Sequence, residues 1–173
     1  MVKSLESPDL DDADRETLAR IERFGWTCLH IEAGERTCGW SFSLGLPAQR
    51  NHPELIVFGL PNSDAYDVLA DAVARITAGE TLPLGREHAV ELSGITCSLL
   101  KVERVWYRPF VGTAIWYHES LDFETLQIAW RNTRGQNAWE IPAEMARQPL
   151  LDRIDASEAR TGEFLREMGF VEE

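Results

Sequence analysis

The sequence predicts an α+β fold, with helices packed on a mostly antiparallel sheet in a single domain. Three observations carry that expectation. Two short segments in the N-terminal third alternate apolar and polar residues and are joined by a Gly-Glu turn. A third segment, Leu55 to Leu60, is apolar on both faces, as a central strand requires. Between the strands run segments whose apolar residues recur at helical spacing.

Residues 1–10 carry Ser, Pro and Asp and read as a loose tail. The first helix is expected to begin near Asp11 or Asp12, whose carboxylate can cap free amides, with Leu18, Ile21 and Phe24 recurring at helical spacing before a stop at Gly25. Strands follow over Trp26–Ala33 and Thr37–Leu44. The first places Leu29 and Ile31 opposite Trp26, Cys28 and His30; the second puts Cys38, Trp40, Phe42 and Leu44 on one face. A loop from Gly45 to Pro53 leads into the Leu55–Leu60 strand. A helix over Ser63–Ala78, capped by Asn62 or Ser63, buries Tyr66, Leu69, Val73 and Ile76. Ala89–Leu92 and Thr96–Val102 read as a hairpin turning at Ser93-Gly94. Trp106–His118 fits a strand or a short helix. Leu121–Trp130 reads as a strand, Arg131–Gln136 as a loop, and Ala143–Leu151 and Ser157–Met168 as helices. The expected organisation is a tail (1–10), a core domain (11–152) and a helical extension (153–173).

Composition narrows the function. The 173 residues are 44% hydrophobic and 27% charged, the balance of a globular chain that can bury a core. The net charge of −12 disfavours nucleic acid, whose phosphates demand Lys and Arg, and disfavours anionic membranes. No apolar run approaches the roughly 20 residues of a membrane span, and the N-terminus lacks a signal core, so the expected location is cytoplasmic. Cys28, Cys38 and Cys97 are odd in number and lack metal-ligand spacing; they read as reduced thiols, with Cys28 and Cys38 able to face each other across a hairpin.

Several blocks together resemble a bacterial family known as domain of unknown function 4262. They are Trp40-Ser41-Phe42-Ser43-Leu44-Gly45-Leu46, His52-Pro53-Glu54-Leu55-Ile56-Val57-Phe58-Gly59-Leu60, Leu126-Gln127-Ile128-Ala129-Trp130, Trp139-Glu140 and Gln148-Pro149-Leu150-Leu151. Their order and spacing match over about residues 16–152. The sequence departs from the family pattern twice. Arg131 and Asn132 stand where the family usually has Pro-Asp, and Asn137 and Ala138 where it usually has Phe-Pro. The resemblance implies the fold and carries no established reaction or cofactor; an activity that used the family Asp would be missing here.

His52 and Glu54 bracket Pro53 at the start of the core strand. An imidazole oriented by a carboxylate is a functional pair near neutral pH, whereas the structural reading has His52 cap a loop, Pro53 fix its backbone and Glu54 meet a helix end or an Arg. Ser41 and Ser43 lie opposite the apolar face of their strand, as pocket lining or as the solvated side of an edge strand. Six tryptophans are many for this length. Trp130 and Trp139 flank the polar loop carrying Arg131, Asn132 and Arg134, whose guanidinium groups suit a carboxylate or phosphate. The four histidines are scattered, with no His-x-x-x-His or Cys-x-x-Cys pairing, so no metal site is expected and the cofactor is open. The first functional reading is a cytosolic small-ligand-binding domain or enzyme whose site unites His52 and Glu54 with Trp130, Arg131, Asn132 and Trp139. The second is an acidic protein-binding module of the immunity or antitoxin type that blocks a basic partner.

Overall fold

The structure, a computed structural model, describes residues 1–170. Six strands form one sheet in the order β1-β2-β3-β6-β5-β4. They are β1 (Thr27–Ile31), β2 (Trp40–Leu44), β3 (Glu54–Phe58), β4 (Val90–Leu92), β5 (Ile95–Lys101) and β6 (Thr125–Trp130). All neighbours are antiparallel except β3 and β6, which pair in parallel at the centre of the sheet. The predicted α+β class, with its mostly antiparallel sheet, is therefore the observed one.

Alternation along the strands builds two cores. Trp40, Phe42, Leu44, Ile56 and Phe58 point to one face, which is covered by α1 (Asp12–Phe24), α4 (Tyr107–Phe110), α5 (Gly112–His118) and α6 (Gly162–Glu167). Leu55, Val57, Leu126 and Ile128 point to the other, against Val68, Leu69, Ala72 and Val73 of α3 (Asn62–Thr77). With helices on both sides, β3 has no wet face, which accounts for its uninterrupted apolar run. Asp11 caps α1 by accepting the Asp14 N–H at 2.7 Å, while Asp14 returns a bond to the Asp11 N–H. The β4–β5 hairpin turns on Ser93 and Gly94, both at positive φ, the conformation a two-residue turn of this hand needs.

Several elements differ from expectation. The Gly45–Pro53 loop contains a short helix, α2 (Leu46–Arg50), opened by Pro47. Helix α3 starts directly after Pro61 without a side-chain cap. Trp106–His118 is helical, and its buried residues Tyr107, Phe110, Ala114 and Tyr117 share one stripe. The expected helix over Ala143–Leu151 is a single 3-10 turn (Ala143–Met145) followed by an extended strap. Its backbone is claimed by side chains instead of by helical carbonyls. Gln127 donates Nε2 to the Pro149 carbonyl at 2.7 Å and accepts the Leu151 N–H at 3.0 Å. Pro149 has no N–H to give a helix. The last helix shortens to Gly162–Glu167 because Arg160 adopts a left-handed φ of 58°. The final three residues of the expected 153–173 extension lie outside the described residues. At the other end, the Lys3 N–H bonds the Tyr117 carbonyl and Val2 packs on the core.

Candidate functional site

Glu54 opens β3 with its side chain wholly buried. One carboxylate oxygen accepts the Gly45 N–H at 2.8 Å and Nε2 of His118 at 2.9 Å; the other accepts the Ser43 hydroxyl at 2.6 Å. Ser43 Oγ in turn accepts the Leu55 N–H at 2.8 Å. A buried carboxylate needs hydrogen-bond donors in place of water, and here three meet it, with at least one on each oxygen. The network ties β2, the α2 turn, β3 and α5 together. Its imidazole comes from His118, far along the chain, and not from His52. Ser41 and Ser43 are buried inside the sheet and not on a solvated edge; Ser41 Oγ lies 2.6 Å from Nδ1 of His30.

His52 is half-buried and donates Nδ1–H to the Pro53 carbonyl at 2.8 Å. It lines a shallow recess of about 170 Å³ with Pro47, Asn51, Pro53 and Glu124. Cross-strand register separates this recess from the tryptophan loop. Glu54 pairs with Thr125 at the start of β6, and Trp130 lies five residues further on, about 16 Å along the strand. Among the described residues, the His52–Glu54 segment and the tryptophan loop therefore sit at opposite ends of the β3–β6 pair and line different cavities.

The carboxyl ends of the parallel pair hold a larger cavity. Trp130 ends β6 and its indole N–H bonds the Phe58 carbonyl at the end of β3, at 2.6 Å. The strap crosses over this point. Gly59 has φ +76°, and a Cβ there would lie 2.7 Å from the Arg147 carbonyl and 3.4 Å from the Trp130 ring. Only glycine permits that approach. Gln148, buried, continues the ladder with its side chain: Oε1 accepts the Trp130 N–H at 3.0 Å and Nε2 donates to the Trp130 carbonyl at 2.9 Å. Asn132 organises the next loop. Its Oδ1 accepts the Arg134 and Gln136 amides at 3.0 and 2.9 Å, and its Nδ2 donates to Gln136 Oε1 at 2.9 Å. Together these place Trp130, Asn132, Arg134, Gln136, Arg147 and Gln148 around a cavity of about 610 Å³, with Ile141, Pro142 and Met145 as its apolar wall.

Of the other predicted residues, Arg131 supports the loop from behind by donating Nε–H to Asn137 Oδ1 at 3.1 Å. Trp139 stacks under the Arg86 guanidinium, 5.2 Å from its ring centroid, outside the cavity lining. Arg147 and Gln148 were not foreseen as site residues. The signal lay in Pro149, which disfavours a helix at the preceding residue.

The cysteines do not pair. The register sets Cys28 opposite Ser43, and all three thiols are free. Burial pushes each up to about 12, so they stay protonated at neutral pH. Among the described residues, no group of three or more His, Cys, Asp or Glu could hold a metal ion. No helix there is long and apolar enough to cross a membrane.

The profile of one protein family, described as Domain of unknown function (DUF4262), matches residues 20–144. The chain belongs to that family. No curated protein and no solved structure matches it. The DUF4262 span includes β1 through β6, the Glu54 network and the Asn132 loop, and stops short of Arg147 and Gln148. Asn132 is a loop organiser here. A carboxylate at this position would accept the same two amides and lose the bond to Gln136.

Proposed function

We propose that this DUF4262 domain is a cytoplasmic small-ligand-binding protein whose ligand, an organic anion with an apolar body, sits between Trp130, Asn132, Arg134 and Gln148. The observation that carries this reading is the cavity at the joint carboxyl ends of β3 and β6, the position where open sheets with parallel strands build their binding crevices. Arg134 and Arg147 supply charge for a carboxylate, and Trp130 offers a face for the body. The described lining contains no His, Cys, Asp or Glu, so no group there shuttles a proton at neutral pH, which favours binding over catalysis. Arg131 and Trp139 act by holding the loop. Glu54 belongs to the architecture, and His52 lies outside the site. The reading as an acidic module for a basic partner finds less support, because α1 mixes Arg15, Arg20 and Arg23 among its acids.

A ligand-detected NMR screen of small aromatic and aliphatic carboxylates tests the proposal. Hits should lose about tenfold in affinity in the Arg134→Ala/Gln136→Ala double variant and keep it in His52→Ala. Hits that depend on His52 and ignore the double variant would overturn it.

A further inference from the structure

A second cavity lies on the other side of the strap. It measures about 790 Å³ and is lined by Arg36, Arg147, Arg160 and Arg166, with Glu144 and Glu163 as its carboxylates. Four guanidinium groups against two carboxylates leave positive charge in excess, in a chain whose net charge is −12. Among the described residues, none of these four arginines stands within ion-pair distance of a carboxylate. Glu144 and Glu163 offset part of the arginine charge, and the excess that remains favours an anionic ligand.

Arg160 shows how the cluster is held. Its left-handed backbone turns the half-buried side chain under the preceding loop. Its two terminal nitrogens donate to the Ala138 and Trp139 carbonyls at 3.0 and 3.3 Å. A guanidinium has five N–H donors, so others remain for a ligand. Burial, then the charge of nearby Arg86, holds the Arg160 guanidinium below its ordinary range, with Glu144 opposing. Arg86 brings no free charge to the site, since it is locked to Asp152 by two bonds of 2.9 and 2.8 Å. The remaining wall is partly apolar, with Ala156, Phe164 and Leu165.

We propose that this cavity binds a small organic phosphate monoester, the dianion gripped by Arg36, Arg147, Arg160 and Arg166 and the organic group resting on Phe164 and Leu165. Guanidinium forks match phosphate oxygens in pairs, and four guanidinium groups lining one cavity favour a dianion over a monoanion by charge. The cavity adjoins the carboxylate cavity across Ala146, Arg147 and Gln148, which border both. Arg147, Arg160 and Arg166 lie beyond the residues matched to the DUF4262 profile.

Calorimetric titration with phenyl phosphate, inorganic phosphate and benzoate tests this. Phenyl phosphate should bind saturably, more tightly than inorganic phosphate and at least about tenfold more tightly than benzoate. Its affinity should fall at least about tenfold in Arg36→Ala/Arg166→Ala, two exposed positions whose loss leaves the fold intact, and hold in Arg134→Ala. The perturbed amide signals should include Ser157 and Gly162. Absence of saturable phenyl phosphate binding up to about 10 mM would overturn the proposal, as would equal binding by the double variant. Loss in Arg134→Ala alone would also overturn it and assign the ligand to the other cavity.

Discussion

Glu54, a site candidate from the sequence, is held in a buried hydrogen-bond network. Its carboxylate is wholly buried and meets three donors, from Ser43, Gly45 and His118. Removing one member of such a pair strands the other charge in the core, which typically costs about 3 kcal/mol or more. His118→Ala should therefore destabilise the domain by about that amount in urea unfolding, whereas His52→Ala should shift it by less than about 1 kcal/mol. A double-mutant cycle with Glu54→Gln should return a coupling near the single-mutant loss. Sequence adjacency pointed to His52 because only His52 was near in the chain. His118 lies 64 residues away, and nothing in a local window shows that α5 returns it to the start of β3.

Elements were legible where their own periodicity decided them, and less so where a partner did. The strands β1 to β3, the hairpin at Ser93-Gly94 and α3 each carry their signal within a short window. The strap over 143–151 does not. Its apolar spacing suits a helix, but the side chains of Gln127 and Gln148 bind the backbones of Leu151, Pro149 and Trp130. Both candidate cavities exist because of that strap. Gly59 allows it to cross at contact distance, so Gly59→Ala tests the element directly. A Cβ there meets the Arg147 carbonyl at 2.7 Å in a left-handed conformation. The substitution should cost about 2 kcal/mol in urea unfolding and weaken carboxylate binding as the strap is displaced.

On the proposed function, the whole molecule separates stability from recognition along its length. At the amino end of β3, a satisfied charge network joins sheet and helices; at the carboxyl ends of β3 and β6, polar groups face open cavities. The family resemblance and the α+β class could be read from the chain. The division into two ends could not, because it rests on the parallel pairing of residues 71 apart in the chain. The net charge of −12 also hid the arginine cavity, since an average over the surface erases a local excess. The most direct test of the central claim is amide chemical-shift mapping of the first carboxylate ligand found in the screen. Perturbations are expected at Asn132, Arg134, Gln136 and Gln148, with none at Asn51 or His52. Perturbations centred on Asn51, His52 and Glu124 would contradict it.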